Sequence, residues 1–333
     1  MKALVYTAPL TLEFGDRILG EPKDDEVLVK IEAVGICGSD MHAYHGHDTR
    51  RPPPLILGHE AAGCIASGPR LGQRVTINPL VIDPDCAFAI EGRGHLSPTR
   101  QLLSMPPRQG AFAETVCVPT RNLVDIPEHL SFQHAALAEP VAVCWHAVAL
   151  GSRLLPSPLA SVRMVVLGGG AIGLGCALVG TLFGAKDLWL GEPNPLRRQT
   201  AQAELAAEVY DPESLQQPEA NSADLVIDAV GSDATRAAAS RLVRPGGVIV
   251  HLGLLPGTNG LDIRKFTLQE IILTGSYCYT PSDFKNSVQA LATGHLGKLS
   301  WFEERELADG ARAFADIDAG VVAAAKIVLR TPH

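Results

Sequence analysis

No two of the seven cysteines are spaced C-x-x-C, and an odd number scattered from Cys37 to Cys278 offers no disulfide framework, zinc ribbon or thioredoxin-type motif. A reducing, cytoplasmic setting is the expectation that follows. The chain also lacks a cationic surplus. Its 28 Lys and Arg face 36 Asp and Glu, a net charge of −8, so nucleic acid is not an expected partner. The opening MKALVYTA lacks the apolar core of a signal peptide. Internal repeats, low-complexity runs and coiled-coil heptads are missing as well. What remains is an ordinary globular composition, 46% apolar and 19% charged, in 333 residues, a length that suits two domains.

One stretch imitates a membrane span. Met164 to Ala185 is 22 residues without a charge, but seven of them are glycines, three consecutive. That composition reads as a buried strand, a tight turn and a buried helix, and no membrane association is expected. The first third of the chain alternates apolar and polar residues, as in Glu26–Val34, and is dense in Gly and Pro, which suits β structure with long connections. Residues 83–109 form a loop or lobe of little periodicity. Ser131 to Leu150 reads as a helix with Ser131 as its N-cap.

From Val162 the rhythm changes. Short apolar runs at Val162–Leu167, Asp187–Leu190, Asp224–Val230 and Val248–Leu252 alternate with helical stretches: one running through Phe183, then Leu196–Glu208 and Ala234–Val243. This alternation predicts an α/β unit, a parallel sheet covered by helices on both faces. A further helix is expected near Ser282–Ala292, and a strand at Ala325–Leu329.

The segment Val165–Gly173 places Gly168, Gly170 and Gly173 as G-x-G-x-x-G between a strand and a helix. The first glycine permits the turn and the second lets backbone approach a pyrophosphate. The third lets helix and sheet pack closely, and Ala171 and Ile172 begin a helix whose free N–H groups favour an anion. Glu192 ends the next strand nineteen residues later, where a carboxylate suits the ribose hydroxyls of NAD and repels a 2′-phosphate. Arg197, with Arg198, keeps NADP as the lesser alternative.

Cys37, His59 and Glu60 supply a thiolate, an imidazole and a carboxylate in glycine-rich surroundings, a donor set suited to zinc. His59 and Glu60 are adjacent, so on extended backbone they would point opposite ways; both can ligate only if the chain bends there. GICGSDMH, LGHEAAG, GAFAE, ALAEPVAVCWHAV, VVLGGGAIG and RPGG, in that order over nearly the whole chain, resemble the zinc-dependent medium-chain alcohol dehydrogenases. The nearest branch is that of the polyol and sugar-acid dehydrogenases, the sorbitol and idonate 5-dehydrogenase types.

The resemblance implies a GroES-like, β-rich catalytic domain over residues 1–150, completed by 281–333, and a Rossmann domain over 151–280, with the site in the cleft between them. It implies one catalytic zinc on Cys37 and His59, with Glu60 as ligand or near-ligand and Glu139 where ordinary alcohol dehydrogenases carry a second cysteine. Cys144 is the rival for that last place. Ser39 and His42 resemble the family's proton relay, while Asp40 is expected to fix the loop by hydrogen bonding. The implied reaction is oxidation of a secondary alcohol (polyol, sugar, sugar acid or small diol) by NAD, in a homodimer or homotetramer. A zinc-free quinone or enoyl-type reductase and a non-enzymatic nucleotide-binding protein are the alternatives. The intact Cys37, His59, Glu60 and Glu139 argue against the first, and the retained site residues against the second.

Two departures stand out. Relatives with a structural zinc hold it on four cysteines, and the matching positions here are Asp83, Cys86, Ala89 and Ser97, which cannot close a tetrahedral site. No structural zinc is expected. Cys278 stands where sorbitol-type enzymes carry an arginine that contacts the polyol, which weakens the case for an acidic or highly hydroxylated substrate. Tyr44, Arg50, Arg51 or Arg108 could compensate, although surface placement is the expectation for the three arginines.

Overall fold

A computed structural model describes residues 1–18 and 20–332. The alternating strand Glu26–Gly35 is the axis of the first unit. It pairs antiparallel with Glu60–Ile65, with Thr115–Pro119 and, through residues 33–35, with the C-terminal strand Lys326–Arg330. Lys326–Arg330 in turn carries Phe302–Glu306 as a parallel neighbour. The chain's end therefore builds directly on its beginning. Helix α1 (Gly38–Tyr44) leaves the end of the central strand, with Cys37 as its N-cap residue.

Residues 83–109 carry little regular structure beyond α2 (Ala87–Ile90), a 3-10 turn at Gly94–Leu96 and a two-residue strand at Gln101–Leu102. One of the contacts that dock this lobe is made by histidine. His95 is 4% exposed, and its ring meets that of His146 edge-on at 4.9 Å. His146 Nδ1 in turn lies 2.8 Å from Asp283 Oδ2. Burial first, and His146 second, push the His95 pKa down to about 4. The unfolded chain, with a His pKa of about 6.5, then binds the extra proton between those values, so stability is full above about pH 6.5 and falls as pH drops toward 4. His95→Phe keeps an edge-to-face ring and removes the titration. Urea unfolding of that variant is expected to show a shallower stability slope between about pH 6.5 and 4 than the parent.

The helical stretch after Ser131 divides into α3 (Phe132–Ala136) and α4 (Ala138–Leu154). Ser131 is the cap: its hydroxyl accepts the His134 N–H. Helix α4 runs past the expected end at Leu150 and packs against α5 (Ala171–Leu182), the helix that follows the glycine turn. The uncharged stretch Met164–Ala185 thus divides between strand, turn and helix. Among the described residues, no helix is long and apolar enough to cross a membrane.

The second unit is a six-stranded sheet with every strand pair parallel. Its spatial order is Glu208–Tyr210, Asp187–Gly191, Arg163–Leu167, Ala223–Asp228, Val243–His251, Ile272–Gly275. In chain order this is 3-2-1-4-5-6, the doubly wound arrangement that opens a crevice beside its first strand. Helix α6 (Pro195–Glu204) stops short of the expected Glu208, because the chain turns extended at Leu205 and Glu208 begins an edge strand. Helices α7 (Asp233–Leu242) and α8 (Ile263–Gln269) follow. The strand expected at Val248 starts five residues earlier, at Val243. Helix α9 (Pro281–Ala292) packs on α4, and α10 (Gly310–Asp318) joins the first unit.

Candidate active site

The metal candidates come from three segments that the first sheet brings together. Cys37 caps α1, and Glu60 opens a strand paired with Gly35. Glu60 lies so close over Gly35 that a Cβ there would sit 2.1 Å from Glu60 Oε2, so only glycine fits. Gly58, at φ +91°, turns the chain just before His59. The donor atoms of Cys37, His59 and Glu60 consequently lie within 4.8 Å of one another.

Buried partners orient each donor. Asp40 Oδ2 accepts the Cys37 N–H at 3.0 Å and Asp40 Oδ1 accepts the Gly58 N–H at 3.3 Å, the loop-fixing part expected of it. The same Oδ1 is 3.4 Å from His59 Nδ1, and Ser104 Oγ is 3.2 Å from that nitrogen. With Nδ1 engaged, Nε2 is the ring atom turned toward Ser39, whose hydroxyl lies 3.5 Å from it and 3.5 Å from Cys37 Sγ. Arg51 supports the arrangement from behind. It is 2% exposed and donates to the Ser104 carbonyl at 3.0 Å and the Ser39 carbonyl at 2.8 Å.

Glu60 divides its two oxygens. Oε1 accepts from Lys326 Nζ at 2.6 Å, and that ammonium also reaches the Ile36 carbonyl at 2.9 Å. Oε2 is buried without a hydrogen-bond partner among the described residues. A buried carboxylate oxygen left open beside a thiol and an imidazole is what a metal would satisfy. The electrostatics agree. Burial alone would lower the His59 pKa, yet Asp40 and then Cys37 raise it well above the ordinary histidine value. Lys326 is likewise raised, burial being outweighed by Glu60 and then Cys37. Glu139, in the first turn of α4, is driven up to about 7, chiefly by burial. The buried acids and the thiol thus make a field that favours cations.

Glu139 faces the same cleft as Cys37 and His59 but stands outside the three-donor group. Cys144, its rival, is fully buried against the Ile172 carbonyl at 3.2 Å and is helix packing. Ser39 and His42 both line the cleft, with no hydrogen bond between them among the described residues. Burial lowers the His42 pKa, which favours the neutral ring.

All the dinucleotide candidates, Gly168, Gly170, Ala171, Ile172, Gly173, Glu192 and Arg197, line one cavity of about 300 Å³. Cys37 and Ile172 line both this cavity and the metal-side cleft of about 230 Å³, so the two meet. Glu192 Oε2 accepts the Gly169 N–H at 2.7 Å and Oε1 the Asn194 N–H at 2.8 Å, which fixes the carboxylate at the strand end. Arg198 is occupied by Asp211 at 3.0 Å and by the Glu192 carbonyl at 2.8 Å. Arg197 remains at the cavity wall.

Two expectations need correction. Arg51 is a buried structural arginine, and Arg108 is largely buried against Glu26 at 2.7 Å, away from the cleft; neither is a surface residue. Tyr44 packs on Phe314 and so does not face the cleft either. Lys326, Ser104 and the part played by Arg51 were not anticipated. A single lysine inside the apolar run Ala325–Leu329 was the one available sign, since a charge in a buried strand needs a partner.

Residues 23–128 match the alcohol dehydrogenase GroES-like domain family, and residues 171–293 match the zinc-binding dehydrogenase family. The chain is 31% identical over 309 residues to an L-galactonate-5-dehydrogenase of Escherichia coli (strain K12), covering 89% of this chain and 88% of that protein. It is 32% identical over 312 residues to a sorbitol dehydrogenase of Bacillus subtilis (strain 168), covering 88% and 86%. Among solved structures, an Escherichia coli oxidoreductase/dehydrogenase of unknown specificity superposes with a TM-score of 0.89 at 26% identity, covering 100% of this chain and 99% of that one. A doubly wound nucleotide domain joined to a β-rich, metal-donor-bearing unit defines the class of metal-dependent dehydrogenases. The chain belongs to the zinc-dependent medium-chain alcohol dehydrogenase family.

Proposed function

We propose that this protein oxidises a secondary alcohol of a polyol, sugar, sugar acid or small diol, with one catalytic zinc and NAD. The observation that carries the reading is the convergence of donor atoms of Cys37, His59 and Glu60 within 4.8 Å of one another, with one Glu60 oxygen buried and without a partner among the described residues, at the junction with the glycine-lined cavity. Zinc, when bound, supplies Lewis acidity toward the alcohol oxygen, and NAD supplies the hydride acceptor. The chain's own part is to hold and to deprotonate. Cys37 and His59 would hold the metal, with Glu60 as ligand or near-ligand and Glu139 facing the same cleft. The Ser39 hydroxyl, poised over both Cys37 Sγ and His59 Nε2, is placed to accept the alcohol proton, and neutral His42 on the same helix to take it outward.

NAD is preferred over NADP because the Glu192 carboxylate is fixed where a 2′-phosphate would meet its charge, and Arg198 is already occupied. The lobe keeps Asp83, Cys86, Ala89 and Ser97, so we assign it no structural zinc. We divide the chain into a catalytic domain of 1–150 with 281–333 and a nucleotide domain of 151–280. Pairing of Lys326–Arg330 with Glu26–Gly35 supports that division. Seven free cysteines suit a cytoplasmic setting.

The test is a panel of polyols, sugar acids and diols with the zinc-loaded enzyme, following nicotinamide reduction with NAD and NADP separately. Turnover with NAD on at least one secondary alcohol is expected. No turnover with any of them, or an equal rate with both cofactors, contradicts the reading or its cofactor half.

A homodimer or homotetramer completes the proposal. Ile272–Gly275 is the edge of the parallel sheet, and Ile272 and Leu273 are exposed there at 39% and 38%. An apolar free edge invites pairing with a second copy. Ile272→Lys is expected to sediment as a monomer, whereas an unchanged mass would place the contact elsewhere.

A further inference from the structure

The place vacated at Cys278 draws attention to what now surrounds it. Cys278 itself sits in the left-handed region at φ +48°, an unusual conformation for a residue with a side chain, and lines the metal-side cleft beside Tyr277. Two cationic residues line that cleft, Arg50 and Arg51, against one carboxylate, Glu139, which belongs with the metal donors. Arg51 is spent on the Ser104 and Ser39 carbonyls. Arg50 is not. It shares the cleft wall with Tyr277 and Cys278.

The geometry of Arg50 is that of a prepared fork. Asp48, with a side chain 8% exposed, takes one edge of the guanidinium: Oδ1 accepts from Nε at 2.8 Å and Oδ2 from Nη2 at 3.0 Å. This fixes the plane and leaves Nη1, with the outer N–H of Nη2, free among the described residues. Two parallel donors on that outer edge match a carboxylate. Asp48 also lies 3.5 Å from Arg51, so one carboxylate serves two arginines and a net positive charge remains. Much of the remaining wall is apolar, including Leu102, Met105, Val143 and Leu252. A neutral polyol would find few partners there.

We propose that Arg50 is the specificity-determining residue and that the substrate is a hydroxy acid of the sugar-acid class, its alcohol at the metal donors and its carboxylate on the outer edge of the Arg50 guanidinium. The inference rests on the alcohol dehydrogenase reading above and narrows its substrate. A charge-assisted contact at a partly exposed guanidinium corresponds to about tenfold in affinity.

The test is calorimetric binding to the zinc-loaded enzyme with NADH present, so that no turnover occurs. A panel of aldonates is used, each paired with the alditol of the same configuration. At least one aldonate is expected to bind about tenfold more tightly than its alditol. Arg50→Leu and Arg50→Gln should each abolish that margin, and a thermal unfolding midpoint equal to the parent's reports that both variants are folded. If no aldonate exceeds its alditol, or if the margin survives both substitutions, the inference is overturned. Failure of the dehydrogenase reading would look different: no panel member would reduce NAD, and the binding margin would still be read.

Discussion

Lys326→Met is expected to destabilise the metal-free protein by about 3–5 kcal/mol, the usual cost of leaving one member of a buried ion pair without its partner. Lys326 and Glu60 are 4% and 0% exposed, and their 2.6 Å contact is the only hydrogen bond to the Glu60 carboxylate among the described residues. The substitution strands a charge in the core. It also releases the Ile36 carbonyl, one residue before Cys37, so the donor loop loosens with the strand. The double variant Lys326→Met, Glu60→Leu removes both charges and is expected to regain most of the loss. Urea unfolding of the two proteins checks this. A Lys326→Met protein as stable as the parent would mean that Glu60 has another counter-charge.

The two glycines of the dinucleotide turn should fail in different ways. A Cβ on Gly173 would lie 1.7 Å from the Gly168 carbonyl oxygen and 2.8 Å from its carbon, so α5 cannot stay where it packs. Gly173→Ala is expected to lose about 1–3 kcal/mol of stability, the range for overpacking, together with detectable NAD binding. A Cβ on Gly170 meets nothing within 4 Å, although the residue lines the cavity. Gly170→Ala should therefore keep the parent's unfolding midpoint while NAD affinity falls by about a hundredfold, because the added methyl takes the space kept for the pyrophosphate. Thermal unfolding and NADH fluorescence titration separate the two effects. Normal NAD binding by Gly170→Ala would remove the pyrophosphate from this turn.

The parallel sheet was legible because its strands are continuous apolar runs separated by helices, a pattern that needs no long-range information. The expected helix Leu196–Glu208 exceeds α6 because Ala206 and Ala207 continue a helical composition, whereas the chain turns extended at Leu205 and Glu208–Tyr210 pairs with the sheet beside Asp187–Gly191. Edge pairing of that kind overrides local propensity. The metal donors could be named because cysteine, histidine and glutamate between glycines are a local pattern.

What supports them could not be read in the same way. Ser104 is 45 residues from His59 in sequence, and Lys326 is 266 from Glu60. Only the folded sheet and the return of the lobe bring them close. The arginines illustrate the same limit. Arg50, Arg51 and Arg108 look alike in sequence, yet the fold makes one a cleft residue, one a buried brace and one a partner of Glu26.

The most direct test of the account is a metal count on the purified protein and on Cys37→Ser, by inductively coupled plasma mass spectrometry after exhaustive dialysis. About one zinc per chain is predicted for the parent, with near-complete loss of zinc and of NAD-linked alcohol oxidation in the variant. Two tightly held zincs per chain, no zinc at all, or a Cys37→Ser protein that keeps its metal and full turnover would contradict it.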